Sequence, residues 1–151
     1  MTPVKFSEID EQSWPELQPY FDTCLIPYTG LSGLESPIEA TAALERLRDF
    51  LDLVERRYKG RMVTYPAFHY AEQGTYKCLN DLCHHLKRNG FKYVVIMTAD
   101  VDMKQLELVE SALVLSQFNM EKDDALADKK LSDIVQSEIE NLWKSKGENQ
   151  M

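Results

Sequence analysis

Three side chains that could carry acid–base chemistry follow two apolar segments of the chain. His69 ends a segment rich in aromatic and β-branched residues, and Asp100 and Asp102 follow the apolar run Tyr93–Met97. An imidazole and a carboxylate within hydrogen-bond reach of a substrate can act as general acid and general base. We therefore interpret His69, Asp100 and Asp102 as the candidate catalytic residues, with one of the two aspartates as the base.

Five further residues lie at the ends of the same predicted strands and could position a small ligand. They are Tyr28, Thr29, Gly30, Tyr65 and Thr98. In an open α/β sheet ligands bind beyond the carboxyl ends of the strands, so these groups would converge on one crevice. A structural interpretation is also open, in which Thr29-Gly30 forms a turn, the two aspartates cap helices and the histidine is a solvated loop residue.

The remaining motifs match no established catalytic or metal-binding pattern. Cys78, Cys83, His84 and His85 have the composition of a metal site, but on a helix the two cysteines point about 140° apart around the axis. Tetrahedral zinc prefers more closely spaced cysteine pairs. The glycine-bearing segment 30–33 fits neither a phosphate-binding loop nor the dinucleotide fingerprint. The sequence therefore predicts no metal ion and no cofactor, and it favours a protein without enzymatic activity.

Length, composition and charge limit the class of protein. The chain has 151 residues, of which 44% are apolar and 28% charged, and its formal net charge is −8. These values are typical of one globular domain, and the acidity argues against nucleic-acid binding, which needs a basic face. The run Tyr93–Met97 is the longest apolar stretch and is too short to insert into a membrane. An odd number of cysteines and no recognisable leader at Met1–Asp10 predict a cytoplasmic protein.

Turn residues and apolar periodicity divide the chain into alternating strands and helices. We predict strands at 22–28, 61–70 and 91–98, a brief edge strand at 118–120, and a short strand or extended arm at 4–6. Ser13 and Ser36 each begin a capping box, and a third helix starts near Thr75. Asp102 would cap a fourth helix through Leu113. Asp123 or Asp124 would cap the last helix.

This order of elements predicts a three-layer α/β sandwich. A small, mostly parallel sheet of three or four strands would carry helices on both faces, because strand–helix–strand alternation produces right-handed parallel crossovers. We predict a single domain over residues 1–151. Within it, 1–21 form an N-terminal arm and short helix, 22–120 the α/β core, and 121–151 the C-terminal helix.

Two segments carry a resemblance to a known family over essentially the whole chain. Asp22–Tyr28 and Arg61–Tyr70 resemble the YpiF-like family of uncharacterised proteins from Bacillus-type bacteria. That family has no established activity. Its genes tend to neighbour those of the menaquinol:cytochrome c reductase, so the resemblance implies a respiratory-assembly context.

A second resemblance covers about residues 22–102 and concerns the order of elements. The strand through Pro27, the strand through Pro66, Gly74-Thr75 and Gly90-Phe91 are similar in order to the creatininase family. The Glu-x-His-Gly metal segment of that family is absent after the first strand, and Thr98-Ala99-Asp100 replaces its Gly-His-Gly-Gly-Asn. This resemblance implies the fold order without the dinuclear metal site.

Two functional hypotheses follow from these observations. The first is a non-catalytic partner-binding or assembly accessory protein, which binds a protein partner or a second copy through the C-terminal helix around Trp143, since aromatic side chains often anchor interfaces. The alternative is a small-molecule-binding protein or hydrolase with a creatininase-like crevice at the strand ends, where His69, Asp100 and Asp102 would act.

Overall fold

The computed structural model describes residues 5–72, 74–111 and 113–148. The α-helices are α1 (Trp14–Leu17), α2 (Pro37–Glu55), α3 (Lys77–Arg88), α4 (Gln117–Lys122) and α5 (Leu131–Glu148), and the strands are β1 (Thr23–Leu31), β2 (Met62–Thr64), β3 (Phe68–Tyr70), β4 (Tyr93–Thr98) and β5 (Leu113–Ser116). The fold is α/β, as the sequence predicts. Val4, Gln73 and Ala112, which the sequence interpretation used, lie outside the described residues.

All five strands belong to one parallel sheet, so the predicted sheet type is confirmed. The strand order is β2-β1-β4-β5, and β3 also pairs with β1. Cys24 lies opposite Val63 in β2 and opposite Val94 in β4. The two central strands are buried on both faces, which agrees with their continuous apolar sequence.

Two groups of buried residues fill the spaces on either side of the sheet. The first contains Phe50, Val54 and Ile139, and it lies between the sheet and helices α2 and α5. The second contains Leu79 and Cys83 of α3 and lies on the opposite face. Helices therefore cover both faces of the sheet, as expected for a three-layer sandwich.

The helix that follows β1 begins as the sequence predicts. The Ser36 hydroxyl accepts a hydrogen bond from the Glu39 amide at 3.1 Å, and the Glu39 carboxylate accepts one from the Ser36 amide at 3.1 Å. This reciprocal pair satisfies amides that have no partner inside the helix. In contrast, the Ser13 side chain makes no capping bond to α1, which is only one turn long.

The predicted second strand is divided into two. β2 and β3 both run along β1, with Leu25 opposite Thr64 and Tyr28 opposite Phe68. Pro66 lies between them, and a proline cannot donate a hydrogen bond to the neighbouring strand. The sheet has five strands, whereas the sequence predicts three or four.

The predictions for residues 102–120 are wrong in secondary structure. Between Asp102 and β5, the described residues form no α-helix. Residues 105–107 form a short 3-10 turn and Leu113–Ser116 form β5. Leu106 and Val109, which the predicted helix would carry on its apolar face, are 88% and 76% exposed. The helical spacing of the apolar residues in this segment therefore does not correspond to a helix. Residues 113–116 pair with β4 instead, and this pairing buries Leu115 in the sheet.

The segment after β5 also differs from its prediction. Residues 118–120 lie in α4 rather than in an edge strand, since the Ser116 hydroxyl accepts from the Asn119 amide and caps a helix there. Asp123 caps a 3-10 turn at 124–126, whereas α5 starts later, at Leu131. The third predicted helix starts at Lys77.

Trp143 joins α5 to the amino-terminal end of the sheet. Its indole Nε1 donates a hydrogen bond to the Thr23 hydroxyl at 3.0 Å, and its ring lies edge-on to Tyr58. The Arg61 guanidinium lies 3.9 Å from the centre of the indole and makes two hydrogen bonds to Asp22, at 2.9 and 3.0 Å. The predicted role of Trp143 in partner binding stays a prediction, but its indole already contacts its own chain.

Within the described residues, none of the helices is both long enough and apolar enough to cross a membrane. The longest, α2 and α5, present charged side chains along most of their length, including Arg48, Asp52, Glu138 and Lys144. Their buried apolar residues, such as Phe50 and Ile139, face the sheet.

We expect Trp143→Ala to lower the free energy of unfolding by about 3 kcal/mol, at the low end of the range for removing a buried aromatic ring. The substitution removes the contacts with Tyr58 and Arg61 and the hydrogen bond to Thr23. Urea denaturation followed by circular dichroism measures the loss. Lys144→Ala, at the exposed neighbouring position, is the control. Equal stability of the two variants would contradict this account of how α5 is attached.

Candidate functional site

The order of the strands reverses between β1 and β4, and the carboxyl ends of these two strands lie next to each other at one edge of the sheet. From β1 the chain moves through α2 to β2 on one side, and from β3 it moves through α3 to β4 on the other. The two connecting helices lie on opposite faces, so they leave a gap between the ends of the two strands. Ligands of open α/β sheets bind at such a reversal of strand order.

A cleft of about 430 Å³ lies at this reversal, between α2 and the ends of β1 and β4. We call it the switch-point cleft. Its lining includes Thr29, Gly30, Glu35, Ile38, Glu39, Arg46, Asp100 and Val101. Three of the eight residues singled out from the sequence, Thr29, Gly30 and Asp100, are therefore brought together here.

Gly30 allows the loop after β4 to approach β1. Its φ is +79°, and a Cβ atom placed on it would lie 2.3 Å from Cγ2 of Val101. Side chains rarely tolerate either condition. A glycine at position 30 therefore lets Val101 close one side of the switch-point cleft.

Asp100 is fixed by an ion pair rather than acting as a helix cap. Arg46 Nε and Nη2 donate hydrogen bonds to its two carboxylate oxygens at 2.9 and 2.8 Å. The pair is half exposed, so its net stabilisation is small. Its consequence is geometric, because it ties the middle of α2 to the loop after β4 and holds both charges at the cleft.

Glu35 organises the loop between β1 and α2. Its carboxylate accepts hydrogen bonds from the amides of Ser32 and Gly33, both at 2.9 Å, and from the Ser32 hydroxyl at 3.0 Å. These donors, chiefly the Ser32 amide, lower the pKa of Glu35 to about 2. The carboxylate therefore stays ionised, and residues 32–35 form a compact turn rather than a phosphate-binding loop.

His69 contacts Thr29 and not the aspartates. Its Nδ1 lies 3.1 Å from the Thr29 hydroxyl. Its side chain faces a neighbouring groove of about 250 Å³ between α2 and β2–β3. In the part of the chain described, its hydrogen bonds include none to Asp100 or Asp102, so the expected histidine–aspartate arrangement does not form here. Asp102 is exposed beyond the cleft.

Tyr28, Tyr65 and Thr98 lie on the opposite side of the sheet from the switch-point cleft. The Tyr28 hydroxyl is buried and accepts a hydrogen bond from the Glu72 amide at 2.8 Å, and burial raises the pKa of Tyr28. Tyr65 packs edge-on against Phe91. The Thr98 hydroxyl is buried, and it has no hydrogen-bond partner among the residues that the structure describes. Strand alternation explains the separation, because adjacent residues of a strand point to opposite faces.

The cysteines do not form a reactive or metal-binding cluster in the described residues. Cys24 and Cys83 are buried, and burial raises the pKa of both thiols, that of Cys83 to about 11. Cys78 is exposed at the start of α3, where the Glu72 carboxylate raises its pKa. Among the residues described, no group of three or more metal-binding side chains comes together.

Sequence analysis missed four residues at or next to the cleft. Leu34 precedes the cleft residue Glu35 in the chain, and Glu35, Ile38 and Arg46 line the cleft. The capping box at Ser36 offered a signal for the first three, since a helix that starts right after a strand places its first turn beside the strand end. Arg46 could not be found in this way, because its partner Asp100 lies far away in sequence.

The comparisons with known proteins identify one family. A family model described as a protein of unknown function, DUF2487, matches residues 12–145. No curated protein matches the chain, and no solved structure does. The match spans every strand and most of α5, so it includes the whole switch-point cleft.

We expect Gly30→Ala to destabilise the fold more than Gly33→Ala does. Both glycines have positive φ, +79° and +94°, but an added Cβ meets Val101 at position 30 and nothing within 4 Å at position 33. The left-handed backbone costs about 1–2 kcal/mol at either site, and overpacking adds about 1–3 kcal/mol at position 30. Urea denaturation of both variants measures the difference. Equal losses would show that the loop after β4 moves away freely.

We expect the Glu35 carboxyl to titrate near its pKa of about 2. Because the folded-state pKa lies below the unfolded value of about 4.3, Glu35 stabilises the fold above that pH. This contribution is lost as the pH falls toward 2. Carboxyl ¹³C NMR reports the titration. Ser32→Ala removes one donor and should raise the midpoint; an unchanged midpoint would show that the hydroxyl bond does not form.

Proposed function

We propose a non-catalytic, partner-binding function for this chain, which belongs to the DUF2487 family of proteins of unknown function. One observation carries the proposal. Leu34, on the loop before α2, and Ile38, in the first turn of α2, are 92% and 82% exposed. Hydrogen bonds to Glu35 and the capping box at Ser36 hold this segment in one conformation. Large exposed aliphatic side chains on an ordered segment are typical of a binding surface.

The order of the loop matters because it lowers the entropic cost of binding. Glu35 fixes residues 32 and 33, and the capping box fixes Ser36 and Glu39. A partner that covers Leu34 and Ile38 would therefore lose little loop freedom on binding. Burying one such side chain contributes about 1.5–3 kcal/mol.

The groups that could perform catalysis are held in other interactions. Asp100 is paired with Arg46, and His69 is bonded to Thr29. A general base must reach the proton that it removes. This arrangement supports binding over acid–base chemistry.

The proposal includes an assembly role and a cytoplasmic location. The resemblance to the YpiF-like family, with its respiratory-assembly context, is the reason for the first. The three free cysteines support the second, since unpaired thiols are typical of a reducing compartment.

A second candidate is a small-molecule-binding protein or hydrolase. The observation in its favour is the switch-point cleft, whose volume of about 430 Å³ lies within the range of ligand pockets. The creatininase-like order of elements agrees with such a crevice. A small ligand would contact Arg46 and Asp100, so its binding would survive substitution of Leu34, which does not line the cleft.

We expect a photoreactive phenylalanine at position 34 to form a defined covalent adduct in living cells of the source organism. The same residue at position 106 is the matched control, since Leu106 is 88% exposed on another loop. Mass spectrometry of the purified adduct identifies the partner.

Ile38→Ser in the same chain should reduce the adduct at position 34 about fivefold or more, as expected for a central interface contact. Val109→Ser, at another exposed aliphatic position, should leave the yield unchanged. Identical adducts from positions 34 and 106, or none from position 34, would overturn the proposed function.

A further inference from the structure

A second cleft adjoins the switch-point cleft along α2. It has a volume of about 380 Å³ and lies between α2, Gln117 and the start of α5 at Leu131. Arg46 lines both clefts. We call the two adjoining clefts together the α2 groove.

The α2 groove is acidic. Among the described residues that line it, the acidic side chains are Glu35, Glu39, Asp49 and Asp100, and Arg46 is the single basic one. The groove therefore has the same sign of charge as the whole chain, whose formal net charge is −8.

Salt bridges compensate two of these four carboxylates. Arg46 is paired with Asp100 and Arg48 with Asp49, whereas Glu35 and Glu39 have no salt bridge within the described part of the chain. Glu35 and Glu39 accept hydrogen bonds from backbone amides, which hold the carboxylates ionised and in place. A fixed array of carboxylates attracts a cationic group and repels an anionic one.

We propose that the α2 groove binds a segment of a partner protein that carries aliphatic and basic side chains. The inference rests on the proposed function, because the aliphatic residues of the segment would cover Leu34 and Ile38. Its Lys or Arg side chains would enter the groove and pair with Glu39, beside Glu35. The second observation, the charge of the groove, therefore specifies the chemistry of the partner.

Two other occupants fit the groove less well. A second copy of this chain would bring its own net charge of −8 to an acidic surface, and juxtaposed like charges oppose association. A free amine would pair with a carboxylate but would leave Leu34 and Ile38 exposed. A chain segment satisfies both features, and it can follow the groove past Arg46 into the second cleft.

Random dodecapeptides displayed on phage test this inference with the full chain. We expect the sequences retained by the wild-type protein to contain aliphatic residues and to be enriched about twofold or more in Lys and Arg over the starting library. The dissociation constant of a synthetic retained peptide should rise with ionic strength, since salt screens exposed charges.

Matched variants assign the binding to the groove. Glu39→Gln should weaken binding of the synthetic peptide about threefold, because a cationic contact is lost while glutamine can keep the capping hydrogen bond to Ser36. Glu16→Gln changes the charge equally on exposed α1 and should have no effect. Retained sequences that are neutral or acidic, or equal weakening by Glu16→Gln, would overturn the inference.

The outcomes separate this inference from the proposed function. Retained peptides that are aliphatic but not basic, and that fail to bind Leu34→Ser with Ile38→Ser, would support the proposed function and reject the charge preference. Basic peptides whose binding is unaffected by that double substitution would reject both, since they would bind the acidic surface without the loop. No retained sequence at all would also reject both.

Discussion

The parallel pairing of β1 with β4 is the interaction on which the rest of the structure depends. Both strands are buried on both faces, and parallel strands need long connections that cross one face of the sheet. One connection runs outward from β1 through α2, and the other returns from β3 through α3 to the opposite side of β1. Right-handed crossovers in opposite directions place the two helices on opposite faces. The three layers, the two cores and the gap at the strand ends follow from this arrangement.

The gap becomes a cleft because short polar contacts hold its edges. Glu35 fixes the loop after β1, Arg46 holds Asp100 beside α2, and Gly30 admits Val101. None of these contacts is deeply buried, so their main effect is on geometry rather than on stability. They also engage Glu35, Arg46 and Asp100 in contacts within their own chain. The proposed binding surface is therefore preorganised.

The two ends of the sheet have different roles. At the amino-terminal end, Arg61, Asp22 and Trp143 connect the C-terminal helix to the central strands through stacking and hydrogen bonds. At the carboxyl end, Leu34 and Ile38 are exposed, and Glu35 and Glu39 line the cleft. The aromatic residue that the sequence favoured as an interface anchor packs within its own chain. The exposed aliphatic residues lie on a loop and on the first turn of a helix at the edge of a rigid scaffold.

The sequence by itself determined the fold class, the parallel sheet and the buried central strands, because apolar runs and capping boxes are local signals. Ser36-Pro37-Ile38-Glu39 and Tyr93–Met97 are the clearest examples. Only the tertiary structure decided that residues 113–116 form a strand, because they pair with β4. The apolar residues before them are spaced as in a helix, but Leu106 among them is exposed. The tertiary structure also decided the site: strand alternation sends Thr98 and Tyr28 away from the cleft, while Arg46 reaches Asp100 across 54 residues. Such contacts depend on distance in space, which neither composition nor periodicity records.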